Sequence, residues 1–126
     1  MRTLEQLRGR LAPYESAEFL YDPAIGYLAW HMATGGNLEP LFIEAAEPRK
    51  GHGTELYRRM VTKLVSEGRE PYHSVVAYRL GSNKVASVFY ASLGFTQVNL
   101  GRSVYRDDDT VVMWITWDDL KRNLGL

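Results

Sequence analysis

With 126 residues, 45% of them hydrophobic, the chain can bury a core of its own and is read as one domain spanning residues 1–126. Fifteen basic and fifteen acidic residues cancel, which argues against a nucleic-acid partner or an anionic lipid surface, and the absence of cysteine excludes a thiol nucleophile, a disulfide framework and a thiolate metal site. The start, Met1 to Gln6, carries charge where a signal peptide needs an apolar stretch, and no later run approaches membrane-spanning length, so the expectation is a soluble cytoplasmic protein.

Leu4, Leu7 and Leu11 recur at helical spacing and predict an opening helix that ends near Pro13. Phe19 to Tyr21 before Asp22-Pro23, and Tyr27 to Met32 before Gly35-Gly36-Asn37, read as two antiparallel strands. A third strand, about Leu38 to Ala45, enters a glycine loop. Leu56, Tyr57, Met60, Val61 and Leu64 then mark an amphipathic helix from Thr54 to near Gly68. After Pro71 a buried strand runs through Val75-Val76-Ala77-Tyr78 to Leu80, and a second helix, capped by Asn83, ends at Leu93-Gly94. Gln97 to Tyr105 and Val111 to Trp117 predict a hairpin turning through Asp107-Asp108-Asp109, with Asp118 opening a terminal helix. This order predicts an α/β (α+β) fold: a mixed, mostly antiparallel central sheet flanked by helices.

The segment Arg49-Lys50-Gly51-His52-Gly53-Thr54 stands where a strand ends and a helix begins. Glycines there let a backbone approach a ligand, and the unpaired N–H groups of a helix's first turn attract an anion, phosphate above all. Arg49 and Lys50 add positive charge, and Thr54 could cap the helix or donate a hydroxyl. The spacing fits neither a P-loop nor a Gly-x-Gly-x-x-Gly fingerprint, because Leu56 takes the third glycine's place. An ordinary tight turn is the plainer reading of this loop taken alone.

The loop and the later run Asn83-Lys84-Val85-Ala86-Ser87-Val88-Phe89-Tyr90-Ala91-Ser92-Leu93-Gly94-Phe95 together resemble the GCN5-related N-acetyltransferase (GNAT) family. That family pairs a Gln/Arg-x-x-Gly-x-Gly/Ala loop with an Asn-x-x-Ala-x-x-x-Tyr-x-x-x-Gly-Phe helix. The likeness covers roughly residues 18 to 117, leaving a shortened N-terminal part. It implies acetyl-CoA, or another acyl-CoA, as co-substrate, an amine-bearing acceptor and direct acyl transfer. Arg49, Lys50, Gly51, His52, Gly53 and Thr54 would contact the CoA pyrophosphate, Asn83 and the main chain of Ile43, Glu44 and Ala45 the pantetheine arm, and Tyr90 would protonate the departing thiolate. Pro48 stands at the family's Gln/Arg position and cannot donate a hydrogen bond, so Arg49 would substitute from one position later. Tyr78 stands where some members carry a catalytic glutamate. The short N-terminus also leaves room for a partner subunit, as in a homodimer, to complete the acceptor site.

An attacking amine must be neutral, so the reaction needs a base or a water leading to one. Glu39 and Glu44 are the candidates on the third strand, expected on opposite faces by alternation, with Glu44 preferred for its nearness to the loop. For either, a surface carboxylate without a role is the plainer alternative. His31, His52 and His73 lie on separate elements, so no metal site is expected. Tyr27, Trp30, Trp114 and Trp117 read as core aromatics, and Arg58, Arg59 and Lys63 as a solvated helix face. The competing function is a domain of the same fold that binds acyl-CoA or a protein without turnover.

Overall fold

The computed structural model describes residues 1–102 and 109–126. Its elements are α1 (Leu4–Leu11), β1 (Glu18–Asp22), β2 (Gly26–Met32), β3 (Leu38–Ala45), α2 (His52–Ser66), β4 (Ser74–Leu80), α3 (Lys84–Ser92), β5 (Thr96–Arg102), β6 (Asp109–Thr116) and α4 (Trp117–Asn123). The turn expected at Asp107 and Asp108 lies outside the described residues. Elsewhere the order of elements follows the expectation from periodicity, with two shifted starts. Gly51, not Thr54, is the N-cap of α2, and α4 begins at Trp117 under a Thr116 cap rather than at Asp118.

The six strands form one sheet in the order β1-β2-β3-β4-β6-β5, antiparallel throughout except where β3 lies parallel to β4. One face carries the main core: Leu28, Trp30, Leu38, Val75 and Met113 meet Leu56, Tyr57, Met60 and Leu64 of α2. On the other face α1 covers the β1–β3 part of the sheet, its Leu7 and Leu11 packing on Tyr27 and Ala29. A capping box at Thr3 and Gln6 fixes where that helix starts. Tyr78, Val98 and Trp114 of β4, β5 and β6 are exposed, so Trp114, unlike Trp30, Trp117 and Tyr27, is not a core residue. Strand alternation explains it: Met113 and Ile115 take the buried face of β6, which turns Trp114 to the other side.

Alternation fails at one place that matters. Ala29 pairs with Phe42 but Trp30 pairs with Pro40, which leaves Leu41 as an extra residue in β3. Across this bulge Glu44 pairs with Tyr27 and Glu39 with His31. Tyr27 and His31 share a face of β2, so both carboxylates share that face too, contrary to the simple alternation expected of them.

Candidate functional site

β3 and β4 share a single register pair, Leu38 with Val75. Toward its carboxyl end β3 therefore has no paired neighbour on that side among the described residues, and ligands of α/β sheets sit at such openings. A cleft of about 840 Å³ lies there, lined by Ile43 and Ala45 from β3, the loop residues from Glu47 to Gly51, the start of α2 and the residues from Asn83 to Tyr90 on and before α3, except Ser87.

The loop backbone turns sharply to reach this position. Gly51 has φ 73° and Arg49 has φ 59°, and Arg49 is the only described non-glycine residue with positive φ. Left-handed backbone costs an L-residue about 1–2 kcal/mol, and such conformations cluster at binding sites. The first α2 bond runs from Glu55 N–H to the Gly51 carbonyl at 3.1 Å, and among the described residues no side chain caps the helix. The amides of His52, Gly53 and Thr54 thus have no partner within the helix and open on the cleft beside Arg49 and Lys50. Further along α2 the cations are paired: Arg58 and Arg59 with Glu55, Arg59 also with Asp22 of β1, and Lys63 with Glu67.

Gly53 has a packing reason as well as a ligand one. A Cβ built there would lie 2.8 Å from Cε1 and 3.0 Å from Cζ of Phe89. Phe89 cannot swing away freely, since its ring abuts Tyr57 and Tyr90 at centroid distances of 5.7 and 5.1 Å. Gly53→Ala is therefore expected to force α2 from α3, costing about 1–3 kcal/mol of stability and weakening ligand binding in the cleft. Phe89→Leu should relieve the clash, so thermal melts and ligand titrations of the double variant should show positive coupling. Gly51 has open space around its Cβ position. Its substitution by alanine should cost only the left-handed strain, about 1–2 kcal/mol.

Asn83 caps α3 as expected, its Oδ1 accepting from Ala86 N–H at 3.1 Å, which leaves its amide N–H groups as the donors. Arg79, not singled out in the sequence, braces this turn: it donates to the Leu80 and Gly81 carbonyls at 3.0 and 3.2 Å, and reaches Ser87 Oγ and Gln97 Oε1. Also unanticipated are Val85 and Val88, 83% and 72% exposed, which form an apolar wall of the cleft. Their signal was available, because α3 is apolar nearly all round its circumference while only one side can face the sheet.

Tyr90 ends the cleft. It is 6% exposed and its hydroxyl lies 2.9 Å from that of Tyr57, inside a box made with Phe89 and Phe95. Burial raises its pKa above the usual phenol value, so Tyr90 is a neutral donor at neutral pH.

The cleft thus brings together Ile43, Ala45, Arg49, Lys50, Gly51, His52, Gly53, Thr54, Asn83 and Tyr90, with Pro48 beside them. Glu44 does not line it. On the opposite face of β3 its Oε1 accepts from Arg2 N–H at 2.9 Å, and Tyr27 is its register partner on β2. The Arg2 N–H foremost, helped by the neighbouring Tyr27 hydroxyl and the positive charges of the N-terminus and Arg2, holds Glu44 below the usual carboxylate range. Glu39 Oε1 lies 2.9 Å from Nε2 of His31, whose ring meets the edge of Tyr14. Among the described residues no cluster of three or more His, Cys, Asp or Glu could hold a metal ion, and no helix is long and apolar enough to cross a membrane.

Solved structures share this fold. The first is an acetyltransferase assigned to the GNAT family from Desulfovibrio desulfuricans, 22% identical, superposing with a TM-score of 0.66 over 90% of this chain and 75% of that one. The chain has the GNAT fold. The ribosomal-protein-S18-alanine N-acetyltransferase of Escherichia coli shares the GNAT-like architecture at 16% identity and TM-score 0.62, over 92% of this chain and 78% of that one. A protein from Salmonella typhimurium assigned as an acetyltransferase, solved with acetyl-CoA, is 25% identical over 75% of this chain and 58% of its own, with TM-score 0.56. No family sequence model and no curated protein matches the chain. The described strands and helices match the expectation of a mixed, mostly antiparallel sheet flanked by helices.

Proposed function

We propose that the protein is an acetyl-CoA-dependent N-acetyltransferase that moves an acyl group directly to a primary amine of a small molecule or protein. One observation carries this reading: an uncapped helix start and a neutral buried phenol, Tyr90, face a single cleft at the parting of β3 and β4. The solved Salmonella typhimurium neighbour with acetyl-CoA supports the donor, and the Escherichia coli neighbour supports an amine acceptor.

In this reading the amides of His52, Gly53 and Thr54, with Arg49 and Lys50, hold the pyrophosphate. Arg49 takes the place that Pro48 cannot fill. Main-chain groups of Ile43 and Ala45, lacking a β4 partner, hold the pantetheine arm as a sheet edge holds a peptide, and Val85 and Val88 shield it from water. Asn83 donates its amide N–H to the same arm. Tyr90 supplies the proton that the thiolate takes as it leaves.

For the proton acceptor, Glu39 suits the task better than Glu44. Glu39 lies one residue past the last β3–β4 pair, where the sheet begins to open, and His31 occupies only its Oε1. Oε2 is then the atom to receive the amine proton, directly or through a water. Glu44 already accepts from Arg2 N–H, and its depressed pKa makes it the poorer base. The acceptor would approach from this face of the sheet, where exposed Tyr78 and Trp114 also lie and where a partner subunit such as a second copy would complete the site.

Calorimetry with acetyl-CoA followed by a thiol-release assay against polyamines, amino acids, aminoglycosides and peptide amines tests the proposal. Binding with release of CoA on addition of an amine is the expected result. Binding with no release for any acceptor would favour an acyl-CoA-binding or protein-interaction domain without turnover.

A further inference from the structure

Tyr57 is a second tyrosine in the acid's environment, and it has no access to the cleft. It is 0% exposed on α2, walled by the rings of Phe89, Tyr90 and Phe95. Among the described residues the hydroxyls of Tyr57 and Tyr90 have one hydrogen-bond partner each, namely each other, at 2.9 Å. For packing alone a phenylalanine at position 57 would fill the same box without burying a polar oxygen.

The direction of this bond follows from where each proton can go. If Tyr90 donated to Tyr57, the Tyr57 proton would be left in an aromatic box with no acceptor, an expensive buried orphan. If Tyr57 donates to Tyr90, both protons are placed. The Tyr57 proton sits on Tyr90 Oη, and the Tyr90 proton is free to point into the cleft that Tyr90 lines.

Resting on the reading of Tyr90 as the general acid, we propose that Tyr57 is a positioning residue for it: its hydroxyl aims the Tyr90 proton at the leaving sulfur and stabilises the phenolate left behind. The balance of the step is simple. The amine nitrogen forms its bond to the acyl carbon, the C–S electron pair goes to sulfur, and sulfur takes the proton from Tyr90 Oη. The O–H electron pair stays on Tyr90 as a phenolate, which the Tyr57 O–H holds until water reprotonates it after the products leave. The amine's own surplus proton goes to the base and then to solvent. With Tyr90 only 6% exposed, a charge-assisted bond from Tyr57 is the one protein hydrogen bond available to that oxygen among the described residues. The direction of titration agrees: burial raises both phenols, and the bond from Tyr57 works against that rise at Tyr90 while Tyr57 itself is pushed well above the ordinary value.

Tyr57→Phe is the test, because it removes one oxygen and keeps the ring. Expected are a fall in kcat of about 10- to 100-fold, the range that one hydrogen bond to a charged group spans, and an unchanged KM for acetyl-CoA. The alkaline limb of the kcat profile should move to higher pH, since Tyr90 becomes the weaker acid. The Tyr90 titration is followed separately, without turnover, by carbon NMR of ring-labelled tyrosine, its signal among the eight tyrosines identified by its loss in Tyr90→Phe. Its midpoint should rise in Tyr57→Phe. Fluorotyrosine placed at 57, a stronger donor of nearly the same size, should lower it, and this second variant serves if Tyr57→Phe folds poorly. An unmoved Tyr90 midpoint in both variants would overturn the role of Tyr57 and leave the acetyltransferase reading intact. A moved midpoint with an unchanged kcat and alkaline limb would mean that Tyr90 is not the acid, which removes the catalytic reading of Tyr90 and the proposal together.

Discussion

Tyr90→Phe is expected to lower kcat for acetyl transfer by about 100-fold or more, the lower end of what a positioned general acid contributes, while leaving the Kd for acetyl-CoA little changed. The phenyl ring keeps its contacts with Phe89 and Phe95, so the wall of the cleft survives. Only the proton donor goes. The same substitution strands the Tyr57 hydroxyl, which has no other partner among the described residues, at a cost of about 1–3 kcal/mol. A lower Tm is therefore part of the prediction and does not by itself explain lost activity. The two effects separate in the double variant: Tyr57→Phe with Tyr90→Phe removes both members of the bond, so Tm should return toward that of the parent while kcat stays low. Binding calorimetry, thiol release and thermal melts on the three variants read this out. A parallel loss of acetyl-CoA affinity and rate in Tyr90→Phe would instead make Tyr90 a packing residue.

How far the sequence foretold this site depends on what kind of interaction decides each feature. Elements set by periodicity were legible: β3 runs over the predicted Leu38–Ala45, α1 ends where its leucine spacing stops, and Asn83 caps α3 because an asparagine before an apolar helix has few other tasks. The composition of the cleft was legible through the paired loop and helix motifs. The features set by contacts between distant segments were not. Nothing local distinguishes Gly53 from a loop glycine until Phe89 is seen against it, and Tyr57 reads as one more apolar face residue until Tyr90 arrives from another helix. Arg79 likewise acquires its meaning from Gly81, Ser87 and Gln97. The start of α2 was misplaced by two residues for a related reason. A threonine suggested a side-chain cap, whereas a left-handed glycine ends the loop and leaves the amides bare.

The bulge at Leu41 has the largest bearing on chemistry, because it brings Glu39 to the face that Glu44 occupies and makes the two carboxylates direct competitors for the base. Glu39→Gln is expected to lower kcat/KM by about 100-fold and to shift the acidic limb of its pH profile. Glu44→Gln should leave that limb in place. Its cost is structural: a neutral amide in place of the Glu44 carboxylate cannot draw the same strength of bond from Arg2 N–H, so the N-terminal segment leading into α1 loosens. The sign of that contribution follows from the pKa direction. Glu44 titrates lower in the folded chain than in the unfolded one, so its stabilising effect is present at neutral pH and fades as pH falls through its folded pKa. Parent and Glu44→Gln melts should therefore converge in acid, while their pH–rate profiles overlay apart from scale. His31→Asn supplies the remaining arm. If His31 serves to hold Oε1 of Glu39, its loss should reduce kcat by less than Glu39→Gln does, and adding it to Glu39→Gln should cost little more, as for residues acting through one group. The opposite result, a moved acidic limb in Glu44→Gln with Glu39→Gln inert, would return the base to Glu44 and require the amine to enter at the open end of β3 beside Tyr27.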